Sequence, residues 1–207
     1  MDKKLSLVIP CLDVNDPKLK ELLRSIDVQD FPKEELEVLV ITEGTSESAK
    51  AIGIRRAKGE VIGILASDNE LIGTTFLTDM YKLVQLEGAA YPGFYWTKSE
   101  DDALNRYFAL IGGNDPLSYY MGKNDRTPLN IDLHIDSTNE KTFGDNGFFT
   151  YKKYLEATDL DNYYHIDNAN EICVEPYRSW SFIWHKTGGN IFKFYAKRYR
   201  YGLQHAF

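Results

Sequence analysis

Three short apolar runs, Leu5-Ser6-Leu7-Val8-Ile9-Pro10, Glu37-Val38-Leu39-Val40-Ile41 and Val61-Ile62-Gly63-Ile64-Leu65, recur within the first third of the chain, with helix-patterned segments between them. Each has the length of a strand buried on both faces, and each gives way to a proline or a polar cluster. Residues 18–27 place Leu19, Leu22, Leu23 and Ile26 on one helical face, with Pro17 suited to the first turn. Helix signals return over residues 47–57. Strand, helix, strand, helix, strand with short polar loops predicts a parallel α/β sheet, and right-handed crossovers bring the loops at 11–16, 42–46 and 67–70 to one edge. Ligands bind at the carboxyl ends of strands in such sheets. The stretch 61–71 delivers Ser67, Asp68, Asn69 and Glu70 there. A carboxylate at that position is placed to hold a metal or a sugar phosphate; an Asx-type turn closing the strand is the alternative.

Beyond the third strand, Phe76, Leu77, Met80, Leu83 and Val84 give helical spacing over residues 74–85. Turn clusters over 87–126 surround an expected helix at 101–111, which reads as an inserted, substrate-facing segment. Gly144-Asp145-Asn146-Gly147 precedes an apolar and aromatic stretch, and a short helix is expected over 152–157. With 207 residues, 43% of them apolar, the chain is expected to bury a proper core as one domain, or one domain with an appendage.

No window approaches the roughly 18 uninterrupted apolar residues of a membrane span, and the strand-like run directly after Met-Asp-Lys-Lys leaves no room for a signal peptide. A cytoplasmic location is the expectation. The tail ends abruptly on Phe207, which fits a chain cut short of a membrane-associating continuation. Cys11 and Cys173 read as ordinary buried thiols.

The net charge of −7 is unevenly spread: residues 177–207 hold Arg178, Lys186, Lys193, Lys197, Arg198 and Arg200 and no acid, leaving −13 on the residues before them. A basic tail on an acidic body points to a polyanionic partner, with phosphate on a soluble nucleotide or a lipid head group as the natural candidates. Nucleic acid is not expected, because the acidic body would repel its backbone. Phe192, Phe194, Tyr195, Tyr199 and Tyr201 interleave with the cations, so the tail reads either as an interfacial anchor or as a solvated helix face. Other classes lack their motifs. No G-x-G-x-x-G follows the first strand, no G-x-S-x-G occurs, and Pro10-Cys11-Leu12-Asp13 has neither the Gly nor the Arg of a nucleotidyltransferase loop.

An ordered set of motifs resembles the GT-A glycosyltransferases of the family 2 type. It comprises Val8-Ile9-Pro10 with Asp13 after the first strand, then Ser25, Gln29, Phe31 and Pro32 as S-x-x-x-Q-x-F-P. Glu43-Gly44-Thr45-Ser46 follow the second strand, Ala57, Gly59 and Glu60 precede the third, and Gly144-Asp145-Asn146-Gly147-Phe148 lie further on. His165-Ile166-Asp167 sits where the family carries its catalytic Glu-Asp pair. One departure stands out: Ala66-Ser67-Asp68 replaces the usual D-x-D, keeping only the second carboxylate.

The resemblance implies a mixed, mainly parallel GT-A sheet flanked by helices. Residues 1–86 would form its nucleotide-sugar-binding half, 87–190 the acceptor-side half of the same domain, and 191–207 a basic aromatic tail. It implies transfer of a sugar from a nucleotide-diphosphate donor to an acceptor hydroxyl, with inversion, on a glycan or a polyprenyl-phosphate-linked acceptor at the inner face of a membrane. Asp167 would be the base and Asp145 its reserve. Pro10, Asp13, Glu43, Gly44, Ser67, Asp68, Asn69, Asn146, Lys186 and Arg198 would contact the donor. Asp68, with His185, would hold Mn²⁺ or Mg²⁺; for His185 the competing reading is a member of an aromatic cluster beside Trp184. Ala66 also motivates a second reading, a catalytically silent GT-A-like module that binds a nucleotide or glycan.

Overall fold

The computed structural model describes residues 3–95, 146–161 and 177–185, together with Lys98, Asp101, Ala103, Arg106, Tyr107, Phe192, Tyr195, Ala196 and Tyr199. Strand β1 (Leu5–Pro10) is buried along its whole length and pairs in parallel with β2 (Leu36–Ile41) on one side and β3 (Val61–Leu65) on the other. Helix α1 (Pro17–Asp27) connects β1 to β2; Asp16 caps it by accepting from the Lys18 amide at 2.9 Å, and Pro17 opens the first turn, where its missing N–H costs nothing. Helix α2 (Ser46–Arg56) connects β2 to β3 and begins in a capping box between Thr45 and Ser48.

Alternation along β1 sorts the core into two layers. Leu5, Leu7 and Ile9 pack on one face with Leu19 and Leu22 of α1 and with Phe76, Leu77 and Met80 of α3 (Phe76–Glu87). Val8, with Ile62 and Ile64 of β3, faces Ala49 and Ile54 of α2 on the other. Helices therefore cover both faces, as a parallel sheet requires.

The full order is β2-β1-β3-β6-β5-β7-β4, with β4 at Asn69–Leu71, β5 at Ala89–Tyr95, β6 at Asn146–Tyr151 and β7 at Tyr177–His185. A short helix, α4 (Lys152–Glu156), follows β6. The β5–β7 pair is parallel, and β6 runs antiparallel to both β3 and β5, so β7 ends on the same edge as β1, β2 and β3. This is the mixed, mainly parallel sheet flanked by helices that the sequence implies.

The stretch 61–71 is two strands rather than one. A turn at 66–68 breaks it, held by Asn69, whose Oδ1 accepts from the Ala66 amide at 2.9 Å while its own amide donates to the Ala66 carbonyl at 3.0 Å. Strand β4 (Asn69–Leu71) then leaves β3 and pairs antiparallel with β7. Helix α3 starts and ends two residues later than its apolar spacing suggests. Of the helix expected at 101–111, Ala103, Arg106 and Tyr107 are helical and the other residues but Asp101 lie outside the described residues.

Candidate functional site

Three loops meet at the carboxyl edge of β1, β2 and β3. After Pro10, which sits opposite Ile41, the Cys11 amide donates to the Ile41 carbonyl at 2.9 Å and the Cys11 thiol to the Asp13 carbonyl at 3.1 Å. Asp13 is exposed, and its Oδ1 accepts from the Asn15 amide at 2.9 Å in an Asx turn. The loop hands the chain to α1, whose first turn carries Lys18 with its Nζ 3.9 Å from Asp68 Oδ2.

The second loop turns at Gly44, where φ is +78° and a Cβ would lie 2.1 Å from Ser48 Oγ, so glycine is required on both counts. Its neighbour Glu43 receives two hydrogen bonds from Arg56, at 2.9 and 2.7 Å. Those bonds, and then the guanidinium charge, hold the Glu43 carboxyl below the usual carboxylate range.

The third loop carries Ser67 and Asp68, both partly exposed, ahead of the buried Asn69. Because β4 pairs with β7, Asn69 stands opposite His185 and Glu70 opposite Trp184. The same register brings His185 Nε2 to 3.2 Å from Asp68 Oδ1. Next to it, Lys98 Nζ is ion-paired to Glu70 at 2.5 Å and lies 3.8 Å from the centre of the Trp184 ring, a cation–π contact over the ladder's last rung but one.

A hard carboxylate oxygen suits Mn²⁺ or Mg²⁺, and of the two an imidazole nitrogen fits the softer Mn²⁺ better. Two ligands at about 2.1 Å from one ion, at a right angle, stand about 3 Å apart, so the observed spacing fits a shared ion. Among the described residues no group of three or more His, Cys, Asp or Glu side chains is gathered for a metal, so such an ion would need oxygens from its substrate.

The motifs around this edge have structural work of their own. Ser25 Oγ accepts from the Leu71 amide at 3.0 Å, and Gln29 Nε2 donates to the Gly73 carbonyl at 2.8 Å, so α1 clamps β4 and the loop after it. The Gly59 amide donates to Ser6 Oγ at 2.8 Å, joining β3's entry to β1.

Asn146 begins β6 with its backbone opposite Leu65, which puts the start of that strand at the edge where β3 ends. Asp145, Asp167, Lys186 and Arg198 lie outside the described residues. Sequence reasoning placed Glu70 at this edge without a partner and missed Lys18 and Lys98 at the site, and Lys50, which is fully buried on α2. No spacing rule marks Lys18 or Lys98, because each meets its partner across a long stretch of sequence; for Lys50, the surrounding Ala49, Ala51 and Ile54 were the available signal of a buried face.

No protein-family model and no curated protein matches the chain. Its fold is similar to that of S. aureus TarS. TarS 1-349 in complex with UDP matches with a TM-score of 0.58 at 12% identity, over 89% of this chain and 61% of that one. TarS 1-349 in complex with UDP-GlcNAc gives 0.58 at 12%, over 90% and 59%, and S. aureus TarS gives 0.53 at 14%, over 90% and 36%. The chain thus spans about three-fifths of TarS 1-349. At this identity the likeness establishes the fold alone, a GT-A-like mixed α/β fold.

Proposed function

We propose that the chain is a family 2-type glycosyltransferase that moves a sugar from a nucleotide diphosphate to an acceptor hydroxyl with inversion. The observation that carries this reading is the 3.2 Å approach of His185 Nε2 to Asp68 Oδ1 at the carboxyl edge of parallel strands. It is supported by a fold similar to that of TarS, which was crystallised with UDP and with UDP-GlcNAc.

In this reading Asp68 and His185 hold Mn²⁺ or Mg²⁺, and a bound ion of that kind supplies positive charge to the departing diphosphate. Lys18 adds a second cation on the Asp68 side of the crevice. Glu43 and Gly44 flank the nucleoside, Pro10, Asp13, Ser67, Asn69 and Asn146 line the donor's path, and Lys186 and Arg198 reach phosphate oxygens. The acceptor oxygen bonds to the anomeric carbon as the bond to the diphosphate breaks, and the electron pair leaves with the diphosphate. The acceptor proton passes to Asp167, which must come within roughly 3 Å of that hydroxyl directly or through one water; Asp145 is the reserve. The acceptor is a glycan, of a cell surface or carried on polyprenyl phosphate, met at the inner face of a membrane.

The test is nucleotide-sugar turnover with Mn²⁺ or Mg²⁺ in the wild type, Asp68→Asn and Asp167→Asn. Metal-dependent turnover lost in both variants supports the enzyme. Ala66, in place of the first Asp of D-x-D, favours one rival, a silent nucleotide- or glycan-binding module. Nucleotide binding with no turnover in the wild type would establish that rival.

A further inference from the structure

Strand β4 is three residues long and stands last in the sheet, so its hold on β7 rests on few rungs. Its far end is tied by the Leu71 amide, which donates to Ser25 Oγ at 3.0 Å, and by the Ile72 amide, which donates to the Phe182 carbonyl at 3.0 Å. At the end beside Asp68, Lys98 adds a tie of its own. Glu70 and Trp184 stand opposite each other across the ladder, on the face away from Asn69 and His185, because successive side chains alternate. Lys98 Nζ meets both, 2.5 Å from Glu70 Oε2 and 3.8 Å from the centre of the Trp184 ring. One cation thus bridges the two members of a cross-strand pair.

Lys98 is itself fixed. Its amide donates to Asp101 Oδ2 at 2.7 Å, the Asp101 amide donates back to the Lys98 carbonyl at 3.2 Å, and Arg106 Nε donates to the Asp101 carbonyl at 2.9 Å. The side chains of Lys98 and Glu70 are each 29% exposed and Trp184 is buried, so water and salt screen this contact less than one on an open surface.

We propose that Lys98 is a positioning residue for the Asp68–His185 pair. It acts through the rung next to them: with Glu70 and Trp184 held together, His185 keeps its register opposite Asn69, and its Nε2 keeps its 3.2 Å approach to Asp68. Groups behind a metal's ligands set how well those ligands are placed, and removing one costs about 10–100-fold in metal affinity. The inference rests on the reading in which Asp68 and His185 hold the ion. Without Lys98, the turn at 66–68 keeps its Asn69 bonds while β4 loses a grip on β7, so the loss falls on the metal. Glu43 and Gly44, assigned to the nucleoside, lie on the second loop and are spared.

The experiment is calorimetric titration of UDP into the full chain, with and without Mn²⁺, in wild type, Lys98→Met, Lys98→Arg and Lys98→Met/Glu70→Gln, each checked by circular dichroism. Methionine keeps most of the stem and removes the charge, and arginine restores both contacts. The double variant leaves no carboxylate without its cation and serves where the single one fails to fold. The gain in UDP affinity on adding Mn²⁺ is expected to fall about tenfold in both methionine variants and to stay within about threefold of wild type in Lys98→Arg, while the metal-free affinity changes by less than about twofold. In a His185→Gln background, Lys98→Met should cost less than about twofold more. A folded methionine variant that keeps the gain overturns the proposal. So does an equal loss with and without metal, or a Lys98→Arg protein as weak as Lys98→Met. If Asp68→Asn also keeps the gain, the metal-assisted reading falls as well; if Asp68→Asn loses it and Lys98→Met keeps it, this inference alone falls.

Discussion

His185 Nε2 stands 3.2 Å from Asp68 Oδ1 because β4, which begins directly after Asp68, pairs with the strand that His185 ends. The separation is therefore set by a backbone ladder on the His185 side and by the Asn69-held turn that carries Asp68 beside it. A slip of one residue in that ladder would turn His185 to the opposite face of the sheet.

Asp68→Asn keeps the shape of the side chain and removes its charge. With Asp68 only 16% exposed and not fully buried, the fold should survive the change. Mn²⁺-dependent affinity for a nucleotide diphosphate is expected to fall at least about 10–100-fold, and His185→Gln to weaken it by about tenfold. Calorimetric titration of UDP with and without Mn²⁺ measures both; unchanged affinities would remove this pair from the site.

Gln29 is the hidden support of the same geometry. It is 5% exposed, its Nε2 donates to the Ser25 and Gly73 carbonyls at 2.9 and 2.8 Å, and its Oε1 accepts from the Leu77 amide at 3.3 Å. Gln29→Leu deprives the Gly73 carbonyl and the Leu77 amide of that partner, at a cost of about 2–3 kcal/mol. The urea midpoint should drop accordingly. Nucleotide affinity should drop with it, since Gly73 follows β4 and Leu77 lies in the first turn of the helix behind it.

The first half of the sheet was readable because its runs are predominantly apolar and the first two are each followed by a helix with capping signals, at Asp16-Pro17 and Thr45. The second half hides. Strand β5 contains Pro92 and Gly93, which spell a turn, yet the register merely shifts between Tyr91 and Gly93 and the ladder resumes. Gly93 is needed there because a Cβ would lie 2.3 Å from the Phe182 ring. Asp68 was found because it ends an apolar run. Lys98 was not, because its contact with Glu70 and Trp184 comes from two segments far from it in sequence.

Two glycines should respond to different degrees and for different reasons. A Cβ on Gly59 would lie 2.6 Å from the Ser6 amide nitrogen and 2.7 Å from the Leu5 carbonyl carbon, both backbone atoms of a paired strand. Gly59→Ala must push β1 and β3 apart and should cost about 3 kcal/mol. Gly73 has open space around it but a φ of +80°, so Gly73→Ala carries only the left-handed backbone penalty, about 1–2 kcal/mol. Denaturant unfolding of both variants tests the order; a Gly59→Ala protein as stable as Gly73→Ala would contradict the close approach of the strands.

Glu43 and Arg56 give the site edge a pH signature with a definite sign. The two hydrogen bonds from Arg56, followed by its charge, favour the ionised carboxylate and lower the Glu43 pKa in the folded protein. A lowered pKa means that the unfolded chain binds the proton more readily, so the pair's contribution is complete above the usual carboxylate range and is lost as pH falls through the folded value. Both side chains are about half exposed, so the contribution is small and salt-screened. Carboxyl carbon NMR should show Glu43 titrating below the ordinary glutamate range in the wild type, and within it in Arg56→Gln or in high salt. The stability difference between wild type and Arg56→Gln should be flat near neutral pH and shrink toward zero below about pH 4. A Glu43 midpoint that ignores the Arg56 substitution would show that the bidentate pair does not persist in solution.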